Sequence, residues 1–187
     1  MSVAQEIKIV FAGPMGAGKT TAIRALSDQP PVSTEVANTE RGRSTKDTTT
    51  VALDFGQLAL TDGTAVRLYG TPGQGRFSFM WEILSKGSLG VILLIDGRSA
   101  TALADLEFYM EQLQSLGPEQ PCVIGVGRLP VDSVQELQRL SSALAARDIA
   151  VPVFTVDVRN REDVLLLVET LLCILEMRIP EPLDAVH

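Results

Sequence analysis

Apolar runs and amphipathic stretches alternate along this chain. Strand-like runs fall at Ile7–Ala12, Thr49–Phe55, Ala65–Tyr69, Leu89–Asp96, Pro121–Val126 and Val151–Val156. Some of them, such as "GVILLID" and "CVIGV", are apolar without alternation, which suits strands buried on both faces of a mostly parallel sheet. Between them Leu103, Leu106, Met110 and Leu113 recur at helical spacing, as do Val134, Leu137, Leu140 and Leu144, each set giving one apolar stripe. The segment "REDVLLLVETLLCILEM" is apolar around much of its circumference and predicts a well-buried C-terminal helix. "TDGT" at 61–64 carries an Asp-Gly turn, so the second and third strands form an antiparallel hairpin. Residues 28–47 are polar, hold two prolines and show little periodicity, so they read as a loop. The pattern predicts an α/β domain of three layers, with a six-stranded, mostly parallel sheet and one antiparallel hairpin strand.

Composition narrows the function without naming it. A chain of 187 residues with 45% hydrophobic content suits one domain with a sizeable core. The net charge of −7 argues against non-specific binding to nucleic acid or to anionic membranes. No apolar run approaches the roughly 20 residues needed to cross a bilayer, so no integral membrane segment is expected. The start "MSVAQEIK" has no signal-peptide pattern and "PEPLDAVH" is not a prenylation box; the expected setting is the cytoplasm. Cys122 and Cys173 are expected as buried thiols rather than a disulfide pair.

The chemistry begins at "GPMGAGKT", which follows the first strand-like run and precedes the helix-like "TTAIRALS". Gly-x-x-x-x-Gly-Lys-Thr between a strand and a helix is a phosphate-binding loop of a P-loop NTPase. Gly13, Met15, Gly16, Ala17 and Gly18 would turn backbone amides toward a β-phosphate, with the helix start at Thr20 and Thr21 adding donors. Lys19 would bring charge to the β- and γ-phosphates, and the Thr20 hydroxyl would face Mg²⁺.

Four stretches carry a family likeness: "GPMGAGKT", "TTTVALDFGQLAL", "YGTPGQGRFSFMWEIL" and "VILLIDGRSA". In this order the chain resembles a Ras-like small GTPase, and more closely the bacterial MglA-type and conservon-type members. The likeness covers residues 1–180 as a Ras-like G domain, with 181–187 as a tail outside it. It implies a switch that binds GTP and GDP with Mg²⁺, hydrolyses GTP slowly and serves bacterial signalling. It implies that 28–48 is the first switch, in which Thr48, or else Thr49, caps Mg²⁺, and Arg41 or Arg43 reaches the transferring phosphoryl group. In the second switch, Gly73 would sense the γ-phosphate and Gln74 would orient the attacking water. It also implies an effector at the switch regions and a roadblock-type (MglB-like) dimer as regulator. Phe77, Met80, Trp81 and Leu84 lie at helical spacing and are expected to pack inward, with Phe79 and one side of Trp81 left for a partner.

The chain departs from that family at three places. Gly70 stands where an aspartate usually reaches Mg²⁺ through water, leaving Asp54 or Asp96 to supply the carboxylate. Met15 replaces a small glycine beside the γ-phosphate and would crowd an arginine delivered by a partner. Gly127, Arg128, Leu129 and Pro130 occupy the four positions of the guanine-reading Asn-Lys-x-Asp. There Arg128 could stack on the base, while Asp132 reads as a helix N-cap with Gln135 in a capping box. Asp157, Val158 and Arg159 correspond to the second base-contacting segment. These losses keep two alternatives in view: a nucleotide-binding scaffold that does not hydrolyse, and an ATP-dependent P-loop enzyme.

Overall fold

The computed structural model describes residues 7–29, 32–37, 50–60, 64–72, 83–84, 86–117, 120–130 and 133–178. The chain runs β1 (Ile7–Ala12), α1 (Lys19–Leu26), β2 (Val32–Ala37), β3 (Thr50–Ala59), β4 (Ala65–Gly70), β5 (Gly90–Asp96), α2 (Ala102–Ser115), β6 (Cys122–Gly127), α3 (Val134–Ala145), β7 (Val153–Val156) and α4 (Arg161–Glu176). The strands form one sheet in the order β2-β3-β4-β1-β5-β6-β7. The pairs from β4 through β1, β5 and β6 to β7 are parallel, while β2–β3 and β3–β4 are antiparallel. The α/β fold with a mostly parallel sheet and a β3–β4 hairpin is the one the sequence predicts, but among the described residues the sheet has seven strands rather than six, β2 being the addition.

Alternation along the strands explains the layers. On β1 and β5, Ile9, Phe11, Ile92 and Leu94 face one core with Ile23 and Leu26 of α1 and Val164, Leu167 and Leu171 of α4. Val10, Ala12, Val91, Leu93 and Ile95 face the other core, with Leu106 and Met110 of α2 and Leu140 and Leu144 of α3. A strand covered on both faces needs apolar residues at every position, which is why these runs lack a two-residue period. Each such aliphatic side chain contributes about 1.5–3 kcal/mol when fully buried.

Three local expectations change. Residues 32–37, read as loop, form the edge strand β2, with Val32 opposite Phe55 and Ala37 opposite Thr50. Pairing with the exposed edge of β3, rather than any internal period, orders that segment. Cys173 is exposed, because it lies on the outer side of α4, whereas Cys122 is buried; both are free thiols. The α3 N-cap position is Ser133, without a side-chain cap bond, so the helix starts one residue later than a cap at Asp132 requires. Asp132, the hydrophobic set Phe77–Trp81 and the tail 181–187 lie outside the described residues. Among the described residues no helix is long and apolar enough to cross a membrane.

Candidate nucleotide-binding site

The parallel strands all end at one edge of the sheet, and the candidate residues collect there: the loop after β1, Gly70 and Thr71 at the end of β4, Asp96 closing β5, Arg128 after β6 and Asp157 after β7. Ligands of open α/β sheets bind outside the carboxyl ends of the strands.

The loop itself is shaped by glycines. Gly13, Gly16 and Gly18 take φ values of 135°, 82° and 97°, a region where side chains with a β-carbon are strained. At Gly13 a β-carbon would stand 2.1 Å from the Leu94 carbonyl oxygen, so only glycine lets the loop leave β1 against β5. At Gly16 a β-carbon would meet nothing within 4 Å, which leaves that part of the loop open. Ala17 is buried and Thr21 half-buried, while Met15 is 76% exposed at the loop tip.

Lys19 opens α1 and is buried. Its Nζ donates to the carbonyls of Gly13 and Pro14, both at 2.7 Å. Burial lowers its pKa to about 8, while the negative charge of Asp54 opposes that fall. Thr20, one residue on, is exposed and donates its hydroxyl to Asp54 Oδ2.

Asp54 lies on β3 directly opposite Gly70 on β4. A β-carbon at Gly70 would meet the Asp54 Cβ at 3.0 Å, its Oδ2 at 3.2 Å and the Ile23 Cδ1 at 3.0 Å. The Asp54 carboxylate thus stands in the space that a side chain at position 70 would take. Of the two carboxylates left open by the sequence, Asp54 is the one beside Thr20. Asp96 is committed elsewhere: its Oδ2 accepts from Arg128 Nη1 at 2.6 Å and its Oδ1 from the Arg98 amide at 3.0 Å.

Among the described residues no three His, Cys, Asp or Glu side chains converge to hold a metal alone. A hydroxyl and one carboxylate at the lip of the loop nevertheless fit Mg²⁺, which takes hard oxygen ligands and completes its shell with substrate phosphates and water.

The segment after β7 is fixed from below. Asn160 caps α4 by accepting from the Glu162 amide, and Asp163 accepts from the Asp157 amide at 2.8 Å. The Val158 side chain is thereby set against the phosphate loop, 2.8 Å from where a β-carbon on Gly18 would be. Arg159 grips the Asp157 carboxylate through Nε at 2.9 Å and Nη2 at 2.7 Å. These bonds and that of the Arg159 amide hold the Asp157 carboxyl down at about 2.

Two features escaped the sequence reading. Arg161 donates to the Ala25 and Leu26 carbonyls at 3.0 and 2.7 Å and reaches Asp28 Oδ1 at 3.3 Å, tying the end of α1 to the start of α4. The carbonyls at a helix end need outside donors, but nothing local in sequence shows that a residue 136 positions away supplies one. Thr71, whose amide donates to the Phe11 carbonyl at 2.9 Å, keeps a buried hydroxyl with no hydrogen-bond partner among the described residues. Thr48, Gly73, Gln74, Arg41 and Arg43 lie outside the described residues.

A family model described as "Conserved hypothetical ATP binding protein" matches residues 29–177. The chain belongs to this family. The match starts after the phosphate loop and takes in β2 through α4, so this ATP-binding family and the loop motif are independent observations. Over 102 residues the chain is 31% identical to an uncharacterised protein of Methanocaldococcus jannaschii, covering 54% of this chain and 58% of that one. It is 25% identical over 150 residues to the human Ras-related protein Rab-40A-like, covering 80% of this chain and 51% of that protein. The chain spans little more than half the length of these curated relatives. Family membership and the Ras-related match support a P-loop, GTPase-like protein that binds a nucleotide.

Proposed function

We propose that this chain is a nucleotide-dependent molecular switch that binds a nucleoside triphosphate with Mg²⁺ and hydrolyses it slowly, from GTP to GDP and phosphate on the Ras-like resemblance. The observation that carries the reading is the arrangement at the start of α1. Buried Lys19 lies under a loop of left-handed glycines, and the Thr20 hydroxyl meets the Asp54 carboxylate at its lip. In this reading residues 13–21 cradle the phosphates, and Lys19 supplies positive charge. Thr20 and Asp54, with Thr48 from the first switch, hold Mg²⁺, which when bound offsets charge on the phosphate oxygens. Gly73 senses the γ-phosphate, Gln74 orients water, and Arg43 stabilises charge on the transferring group. Arg128, Asp157 and Val158 border the base.

The wider expectations belong to the same reading: a G domain over residues 1–180, MglA-type kinship and a cytoplasmic setting. An effector at the switches and control by a roadblock-type dimer complete it. Exposed Met15 favours a regulator that rearranges the switches over one that inserts an arginine beside the γ-phosphate.

A second reading, a scaffold that binds nucleotide without hydrolysis, draws support from Gly70 and from the side-chain losses at Gly127 and Pro130. The experiment is single-turnover phosphate release with Mg²⁺, comparing wild type with Lys19→Ala, Gln74→Leu and Asp54→Ala. Release by wild type, loss of binding in Lys19→Ala and binding without release in Gln74→Leu support the switch. Binding with no release above the Gln74→Leu background would leave the scaffold.

A further inference from the structure

We infer that the base site reads a purine by its ring face, on an Arg128 platform held by Asp96, and therefore takes adenine and guanine nucleotides alike. This rests on the nucleotide-binding reading above and names its substrate class.

The four residues from the end of β6 onward, at the guanine-reading positions, leave a single side chain for a base. Gly127 has none, and its carbonyl is used by the Gly97 amide at 2.9 Å. Leu129 turns inward, so close to Gly97 that a β-carbon there would meet its Cδ2 at 2.5 Å. Pro130 has no donor. Arg128 remains, with its side chain 55% exposed and its Nη1 on Asp96 Oδ2 at 2.6 Å.

Its backbone is unusual as well. Arg128 has φ of 59°, a left-handed conformation seldom taken by residues other than glycine, asparagine or aspartate. Such strain persists where surrounding contacts hold it and clusters at binding sites. Here Asp96 fixes the side chain through Nη1. That pair is made through one edge nitrogen, and a guanidinium plane stacks on aromatic rings.

Guanine recognition needs an acceptor carboxylate facing the ring N–H and the exocyclic amine. Among the described residues Asp96 and Asp157 are each already engaged by an arginine, and Asp54 is engaged by Thr20. Asp96 accepts from Arg128 and from the Arg98 amide. Asp157 accepts from the Arg159 amide, Nε and Nη2. Adenine and guanine share the two-ring face and differ in the polar groups on their edges. A site that pairs with such groups discriminates by about 10⁴–10⁵, whereas one that lacks the pairing discriminates by about 100-fold or less.

The test is calorimetric titration of the folded, nucleotide-free full chain with GTP and with ATP in Mg²⁺, for wild type, Arg128→Ala and Asp132→Asn. Affinities within about 100-fold of each other, weakened together about 5- to 30-fold by Arg128→Ala and unchanged in ratio by Asp132→Asn, are expected. A preference beyond about 100-fold in either direction overturns the inference while leaving nucleotide binding in place. So does an Arg128→Ala loss confined to one base, or a guanine preference that Asp132→Asn removes. If neither nucleotide binds, the nucleotide-binding reading falls and this inference falls with it.

Discussion

Asp54 and Gly70 share one side-chain space: across the β3–β4 ladder, a β-carbon on Gly70 would sit 3.0 Å from the Asp54 Cβ and 3.2 Å from its Oδ2. The carboxylate beside Thr20 therefore comes from the neighbouring strand. Adding an aspartate by Gly70→Asp puts two carboxylates in contact, which crowds the pair and sets like charges against each other. Gly70→Asp is expected to destabilise the fold by about 1–3 kcal/mol and to weaken Mg²⁺-dependent nucleotide binding. The double variant Asp54→Ala/Gly70→Asp recovers part of both. Thermal denaturation together with Mg²⁺ titration of nucleotide binding reads the coupling, and simple additivity of the two changes would count against it.

Gly13 and Gly16 separate packing from ligand space. Gly13→Ala drives a methyl group into the Leu94 carbonyl, 2.1 Å away, where only backbone could yield. Its melting temperature should fall sharply, by the equivalent of about 3 kcal/mol or more, since overpacking and left-handed strain add. Gly16→Ala meets open space and bears only the left-handed cost of about 1–2 kcal/mol. The latter should unfold near the wild-type temperature yet bind nucleotide poorly.

Lys19 should make stability depend on pH. Its folded pKa of about 8 lies below the ordinary lysine value of 10.5, so between those values the unfolded chain binds the extra proton. Stability then rises with pH; the penalty is full below pH 8 and relieved by about 10.5. The rise is on the order of 3 kcal/mol at most. Urea denaturation at pH 7.5, 9 and 10.5 checks it as the wild-type minus Lys19→Met difference, which should change across that window; a constant difference would contradict it.

Thr71 carries a buried hydroxyl without a partner among the described residues, a group that costs about 1–3 kcal/mol when left unsatisfied. Thr71→Val keeps the shape and removes the polar atom. It is expected to hold stability or raise it by about 1 kcal/mol. A clear loss in chemical denaturation would reveal a partner for the hydroxyl in solution.

The layered fold was legible because its signals are local. "GVILLID" reads as a two-sided strand since every residue has a core on one side or the other, and β5 buries Val91, Leu93 and Ile95 on one face and Ile92 and Leu94 on the opposite one. The edge strand β2 was not legible, since its order comes from pairing with β3 across 13 or more residues of chain. Val134 shows the same limit within a helix: it fits the apolar stripe, yet at the first position of α3 it is largely exposed.

By itself the sequence determined the phosphate loop. Its glycines, Lys19 and Thr20 are contiguous, and the backbone conformations they permit are a property of those residues. Tertiary structure decided which distant groups meet them. The choice of Asp54 over Asp96 depends on strand register, which places Asp54 opposite Gly70 and Asp96 within reach of Arg128. Spacing along a chain states which residues are near in sequence; only the packing of β3 against β4, and of β5 against β6, brings a particular carboxylate to a particular hydroxyl or guanidinium.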